Sequence, residues 1–110
     1  MINKRFIYDG LLKSLNEKLN NIEFLIRSAI ESRDLDMKSS VGDKHETSRA
    51  KIQSDIDNYS KQKLKIVEKL NLLATIDINK KNSKVENGAL VETNIGFFFI
   101  AIGIGKWIVK

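Results

Sequence analysis

The chain has 110 residues, of which 19 are Lys or Arg and 14 are Asp or Glu, with a net charge of +5 and neither proline nor cysteine. This length allows one modest domain, and the lack of cysteine excludes a disulfide scaffold and a thiolate metal site and favours a reducing cytoplasm. The basic N-terminus has no continuous apolar core of the kind found in signal peptides. The longest apolar run, residues 95–109, is short and contains Lys106, so we expect no membrane span.

The positive charge is unevenly distributed along the chain. Residues 1–30 carry a net charge of +2 and residues 47–74 carry +3, whereas residues 31–46 carry five acidic and three basic side chains, a net −2. A basic surface predicts an acidic partner surface or a nucleic acid. The Lys, Asn and Ile usage of an AT-rich genome would also explain most of the excess lysine, but it would not explain the acidic segment.

Two long segments have apolar residues at alternating steps of four and three, which is the heptad pattern of a coiled coil. The first series comprises Tyr8, Leu12, Leu15, Leu19, Ile22, Ile26 and Ala29. The second series comprises Ile52, Ile56, Tyr59, Ile66, Leu70 and Leu73, with Lys63 in its one gap. The pattern predicts one helix from about Asn3 to about Asp36 and another from about Asp43 to about Ala74. The apolar face of the first helix is widened by Leu11, Phe24, Leu25 and Ile30.

The two series mirror each other across the break between them. Paired residues, such as Ile26 with Ile56, have numbers that sum to 81 or 82. A chain that folds back at Val41–Asp43 brings these pairs to the same height, so we predict an antiparallel coiled-coil hairpin over residues 1–74 with a tip segment at residues 39–48. Each arm of about 30 residues is roughly 45 Å long, which suits a task that requires reach.

The C-terminal part of the chain predicts short strands. Residues 75–87 are polar and aperiodic, which indicates a linker. Residues 88–110 contain three strand-like stretches separated by turn signals at 94–96 and 103–105. Strands that are apolar on both faces are not stable alone, so we expect them to pair with another copy of the chain, or else to be disordered or insoluble. The predicted fold is α+β, mainly α, with a long antiparallel helical hairpin followed by a short, incomplete antiparallel β segment.

The tip segment contains Gly42-Asp43-Lys44-His45-Glu46 followed by Thr47-Ser48-Arg49-Ala50, and residues 88–94 read GALVETN. These stretches resemble the tip motif and the entry strand of the Gre family (GreA/GreB-like) of bacterial transcript-cleavage factors, in particular its shorter Bacteroidetes-type members. The resemblance covers the hairpin and the first strands. It implies an N-terminal antiparallel coiled coil followed by an FKBP-like β domain, of which residues 88–110 form only a part.

In that family the coiled coil enters the secondary channel of RNA polymerase, where acids at its tip help to hold a second Mg²⁺ and a water. The resemblance assigns this role to Asp43 and Glu46, with the polymerase itself hydrolysing backtracked RNA. Mg²⁺ accepts carboxylates and water as ligands, and two metal ions can clamp the attacking and leaving oxygens. The resemblance thus implies a cytoplasmic accessory factor of RNA polymerase with no stably bound cofactor and no membrane partner, and not an enzyme in its own right.

The tip residues allow other interpretations. Asp at an N-cap with Glu three residues later is also a capping box, so Asp43 and Glu46 can serve the second helix alone. Lys44 and His45 replace an apolar and a small residue of the family motif, which bears on cleavage more than on polymerase binding. Four residues are candidate contacts to the polymerase or to the nascent RNA end, or else solvated side chains: Lys44, His45, Arg49 and Lys51.

Two other functions stay open at this point. A coiled-coil interaction protein with Gre-like architecture would bind another partner and have no role in cleavage. The apolar C-terminal stretch, FFFIAIGIGKWIVK with its terminal lysine, also suggests a protein that binds at a membrane surface.

Overall fold

The structure is a computed structural model that describes residues 3–38 and 44–101, with side chains described for residues 3–35 and 48–101. Its elements follow the chain in the order α1 (Lys4–Lys38), α2 (Lys44–Ala74), β1 (Leu90–Thr93) and β2 (Gly96–Phe99). The fold is α+β and mainly helical, which confirms the predicted class. The third predicted strand, near residues 106–110, lies outside the described residues.

Both helices have identifiable ends, within two residues of the predicted ones. At the start of α1, the side-chain Oδ1 of Asn3 accepts a hydrogen bond from the backbone N–H of Phe6 (2.8 Å), which satisfies one of the free donors of the first turn. At the end of α2, the backbone N–H and the hydroxyl of Thr75 both donate to the carbonyl of Leu72, at 3.2 and 2.6 Å. Because the chain has no proline, nothing breaks either helix between these ends.

The chain divides into two compact units, and each unit contains a segment of both helices. Unit 1 comprises Met1–Asn16 and Val67–Lys110, and unit 2 comprises Glu17–Ile66. Both strands belong to unit 1. The predicted division into a hairpin, a linker and a β segment follows a different criterion, the type of local structure, and stays a prediction.

Unit 2 is an antiparallel pair of helix segments. The Nζ of Lys63 lies 3.8 Å from a carboxylate oxygen of Glu23. Farther along, the Nη1 group of Arg33 donates a hydrogen bond to the Oε1 of Gln53 (2.8 Å). Residue numbers rise along one helix as they fall along the other, so the two segments run in opposite directions, as the mirrored heptads predict.

The side-chain register of unit 2 differs from the predicted pairing. The two contacts, Glu23 with Lys63 and Arg33 with Gln53, join residues whose numbers sum to 86, rather than to 81 or 82. A helical side chain leans toward the N-terminus of its own helix. In an antiparallel pair it therefore contacts a residue of the other helix that lies beyond the one at its own height. The prediction placed Lys63 opposite Leu19. The lean carries its ammonium group toward the tip segment, to Glu23.

Few side chains are buried in unit 2, because each helix segment has one neighbouring helix there. Among its described side chains, the seam residues Ile22 and Ile56 are buried, at 5% and 8% exposed. The widened apolar face that the sequence predicts is left uncovered, since Phe24 and Leu25 are 60% and 41% exposed. A single helix covers one stripe of its partner, and residues beside that stripe stay in contact with water.

The best-buried core lies in unit 1. It contains Leu11 and Leu15 from α1 and Leu73 from α2, which are 5%, 4% and 0% exposed. Six partly buried apolar residues pack against it: Tyr8, Leu12, Leu70, Ile76, Phe99 and Ala101. Leu11 lies outside the heptad series, and it is buried because Phe99 and Ala101 add a second layer at this end of the helices.

The two strands form an antiparallel sheet. The partners are Leu90 with Phe99, Val91 with Phe98, Glu92 with Phe97 and Thr93 with Gly96. The turn therefore falls at residues 94–95, where the sequence predicts it. Gly96 has a φ of +144°, a conformation that glycine adopts without the steric cost of a side chain.

The apolar strand β2 is not covered on both faces within the described residues. Phe97 and Phe98 are each 45% exposed, whereas Phe99 packs against the unit 1 core. Successive side chains of a strand point to opposite faces, so Phe98 lies on the face away from Phe99. The cover that the sequence predicts for this strand is absent from residues 3–101.

The segment between α2 and β1 is attached to α1 by polar contacts. The ammonium of Lys4 donates to the carbonyl oxygen of Lys80 (2.7 Å) and to the Oδ1 of Asn82 (2.6 Å). The Nδ2 of Asn82 donates to the Oε1 of Glu86 (2.6 Å), which also lies 3.5 Å from the Nζ of Lys80. The hydrogen bond from Asn82, with the charges of Lys80 and Lys4, holds the pKa of the Glu86 carboxyl below its ordinary value of 4.5. The predicted linker therefore has a defined conformation.

Candidate functional site

The two predicted catalytic acids lie at the start of α2. Asp43 is outside the described residues and directly precedes α2 in the chain. Glu46 lies in the first turn of α2 together with Lys44 and His45, and the side chains of all three are outside the described part. The roles of Asp43 and Glu46 in Mg²⁺ binding or in helix capping therefore stay predictions.

The two remaining candidate contact residues lie farther along α2. Arg49 is half-buried and Lys51 is exposed. Within the described part of the chain, neither side chain has a hydrogen bond or an ion pair with an acidic residue. Both positive charges are thus uncompensated by any described neighbour, and such charges attract an anionic partner.

A chain of hydrogen bonds connects α1 to α2 near the tip segment. Arg33 donates to Gln53 (2.8 Å), and the Nε2 of Gln53 donates to the Oδ1 of Asp57 (3.0 Å), one turn along α2. The Nε of Arg33 also lies 3.6 Å from a carboxylate oxygen of Asp34. Because Gln53 is five residues beyond the tip segment, these contacts limit the sliding of one helix against the other close to the predicted acids.

Sequence reasoning missed this chain of contacts, although part of its signal is present. Gln53 and Asp57 have the i, i+4 spacing that brings helix side chains together. The contact from Arg33 depends on how the two helices pair, and the predicted sums of 81 or 82 direct Arg33 to residues 48–49 instead. Only the lean of the side chains brings it to Gln53.

The solvent-facing side of α2 in unit 2 is basic. Three lysines are exposed there: Lys51, Lys61 and Lys65. Lys63 lies between the last two in the sequence. Lys63 occupies a seam position and is half-buried, with its ammonium reaching Glu23. A lysine can do this because its stem lies along apolar surface while its charge reaches a polar group.

Among the side chains that the structure describes, no three His, Cys, Asp or Glu residues lie close enough together to hold a metal ion. Within residues 3–38 and 44–101, neither helix is long and apolar enough to cross a membrane.

No protein family model matches the sequence, and neither a curated protein nor a solved structure shows significant similarity to it. The resemblance to the Gre family therefore rests on the tip motif, the hairpin and the first strand.

Proposed function

We propose that this chain is a Gre-like factor that binds bacterial RNA polymerase through its secondary channel. The observation that carries the proposal is the antiparallel pair of long helices, with 35 residues in α1 and 31 in α2, joined through the Gly42–Glu46 motif. At about 1.5 Å per residue, the helices are about 52 and 46 Å long. Helices of this length can carry the residues at their junction deep into a channel.

The thickness of unit 2 supports this role. Residues 17–66 form two helix segments and the connection between them. One helix with its side chains is about 10–12 Å across, so the pair fits an opening of about 20 Å. The contact of Arg33 with Gln53 holds the two segments in register near the tip segment. A fixed register is needed if the tip residues are to reach a defined depth in the channel.

The charges of unit 2 also favour a partner that has an anionic surface and a bound cation. Lys51, Lys61 and Lys65 are exposed on α2, where they can contact acidic protein surface or RNA. Residues 31–46 instead carry a net charge of −2. Acidic side chains at the junction suit a divalent cation, because Mg²⁺ takes carboxylate oxygens and keeps several waters.

In the proposed mechanism the polymerase supplies the reaction centre, and this chain adds ligands to it. Asp43 and Glu46 would help to hold a second Mg²⁺ and the attacking water. That ion, with the one in the polymerase, would supply charge stabilisation to the attacking and leaving oxygens of the backtracked RNA. The factor acts in the bacterial cytoplasm, where the polymerase works, and binds no cofactor of its own.

The experiment separates this role from helix capping. Asn caps a helix about as well as Asp, and Gln can complete a capping box, so Asp43→Asn with Glu46→Gln leaves the start of α2 capped while removing two negative charges. We expect this variant to bind RNA polymerase as the wild type does. It should fail to stimulate cleavage of end-labelled RNA in a backtracked elongation complex.

A matched control removes the same charge elsewhere on the hairpin. Glu17 on α1 and Glu68 on α2 are exposed and make no hydrogen bond or ion pair with other described residues, so Glu17→Gln with Glu68→Gln should stimulate cleavage like the wild type. Equal stimulation by the tip variant and the wild type would remove the metal role. No stimulation by the wild type would remove cleavage altogether and favour channel occupancy without cleavage.

A second candidate is a coiled-coil interaction protein that binds another partner with the same helices. Phe24, Leu35 and Leu64 favour it, because they are 60%, 65% and 60% exposed and large apolar side chains often anchor protein interfaces. Affinity purification of the tagged chain from a bacterial lysate distinguishes the candidates. Subunits of RNA polymerase should co-purify under the first proposal and be absent under the second.

A further inference from the structure

Unit 1 contains a group of basic side chains, called the basic cluster below: Lys4, Arg5, Lys80, Lys81 and Lys84. Lys4 is half-buried and the other four are exposed. The ammonium of Lys4 lies 2.7 Å from the carbonyl oxygen of Lys80, and this contact brings the start of α1 and residues 80–84 together. Two stretches that are 76 residues apart in the sequence thus form one basic surface.

The direct contacts of Lys4 are to neutral groups, the carbonyl oxygen of Lys80 and the side-chain oxygen of Asn82. The charge of Lys4 also acts on Glu86, together with that of Lys80. Glu86 is the acid that contacts the cluster, 3.5 Å from the Nζ of Lys80. Five basic residues against this one acid leave a net charge of +4. Including Asp9 and Asp77, the next acids along the chain, the net charge is still +2.

The other members of the cluster are not held by any described partner. Arg5, Lys81 and Lys84 are exposed, and none of them makes a hydrogen bond or an ion pair with another residue that the structure describes. The first turn of α1 has no acidic residue, and the positive end of the helix dipole disfavours cations there. No described contact of the fold accounts for these charges, so they are available to an anionic partner.

Hydrogen bonds order the backbone at the start of the segment that carries Lys80, Lys81 and Lys84. The Oδ1 of Asp77 accepts a hydrogen bond from the backbone N–H of Asn79 (3.0 Å), and the N–H of Lys80 donates to the carbonyl of Asp77 (3.2 Å). Asn82 is held at its other end by Glu86 (2.6 Å). A surface that is already ordered loses less conformational entropy on binding, so even a few charge contacts can give measurable affinity.

We propose that the basic cluster binds the phosphate backbone of a nucleic acid. Lys, Arg, Asn and Ser side chains make most phosphate contacts in proteins, and residues 79–84 read NKKNSK. The core of a protein interface is instead depleted in lysine, so a surface with five basic side chains favours a nucleic acid. Binding is independent of base sequence. The proposal concerns unit 1 and does not depend on the binding of RNA polymerase.

The test uses the full chain and a labelled single-stranded RNA of about 12 nucleotides. Lys81→Gln with Lys84→Gln removes two members of the cluster that have no structural contact. Lys13→Gln with Lys18→Gln is the matched control, because it removes the same charge from exposed positions of α1 that also lack described partners. Fluorescence anisotropy at increasing salt concentration gives the affinity, and circular dichroism confirms that both variants keep the helical spectrum.

For single strands, the logarithm of the affinity falls with the logarithm of the salt concentration by about 0.7 for each neutralised phosphate. The loss of two contacts should make the slope of the Lys81/Lys84 variant shallower by about 1.4. A fourfold rise in salt should then weaken the wild type about sevenfold more than this variant. The Lys13/Lys18 variant should keep the slope of the wild type.

Three results would overturn the proposal. An equal loss of affinity in both variants would show that overall charge, and not the cluster, determines binding. Absence of RNA binding by the wild type at low salt would remove the site. Binding of labelled polyglutamate as tight as that of RNA, and lost in the Lys81/Lys84 variant, would assign the cluster to an acidic protein partner.

Discussion

Replacing Leu73 by alanine tests whether the core of unit 1 contributes strongly to the stability of the chain. Leu73 is 0% exposed and packs with Leu11 and Leu15. Replacing a buried leucine by alanine costs about 2.7–5 kcal/mol, depending on how far the surroundings collapse into the cavity. Residues from both helices and from β2 line this core, so collapse requires several elements to move, and we expect a loss of about 3–4 kcal/mol.

A loss of this size is large for a chain of 110 residues. The free energy of unfolding of small domains is about 5–15 kcal/mol, so the substitution removes a substantial fraction of it. With a urea dependence of about 1–3 kcal/mol per molar, the midpoint of urea unfolding should fall by about 1–4 M. Far-ultraviolet circular dichroism follows the helices and measures that midpoint directly.

The control is the same substitution at an exposed position of the same helix. Leu64 lies on α2 and is 60% exposed, so Leu64→Ala removes the same atoms and changes helix propensity equally, but leaves no buried cavity. Its cost should be below about 1 kcal/mol. Equal midpoints for the two variants would refute the reasoning, because they would show that burial of Leu73 adds nothing to stability.

Two further predictions concern Glu86 and the helical pairing. The folded-state pKa of Glu86 lies below 4.5, so its stabilising effect is present above the pKa of the unfolded chain and is lost as the pH falls through the lower, folded-state value. Glu86→Gln keeps an acceptor for Asn82 and removes the titration of this side chain. When the pH falls from about 5 to about 2, the urea midpoint of the variant should therefore fall less than that of the wild type. Parallel curves of urea midpoint against pH would contradict this. Cysteines at positions 26 and 56 should cross-link within one chain on oxidation, because the antiparallel seam places Ile26 near Ile56, whereas links from 26 to 26 between two chains would exclude the hairpin.

The helices and the turn of the sheet could be predicted from the sequence because their signals are local. A heptad spacing buries one stripe of a helix and nothing comparable in a strand, so apolar residues such as Ile22 and Ile56 define α1 and α2. The turn signal at residues 94–96 is equally local. Each of these features depends on residues within a few positions of one another.

The remaining features depend on residues that only the fold brings together. The contact of Arg33 with Gln53 follows from the lean of two side chains, which apolar spacing does not encode. The contact of Lys4 with Lys80 joins the start of α1 to the polar segment between α2 and β1. These two stretches share no periodicity. For the candidate site, the Asp43 and Glu46 motif could be read from the sequence, but the residues that hold the two helices in register behind it could not.

The division of the chain has a consequence for the order in which contacts form during folding. Unit 1 is built from Met1–Asn16 and Val67–Lys110, with all of unit 2 between them. The contact of Arg33 with Gln53 closes a loop of 20 residues, whereas that of Lys4 with Lys80 closes one of 76. Closing the longer loop in an unfolded chain costs about 1.2 kcal/mol more in entropy. Unit 2 shortens that loop once it has formed, so we expect contacts to spread outward from the middle of the sequence and the contact of Lys4 with Lys80 to form after that of Arg33 with Gln53.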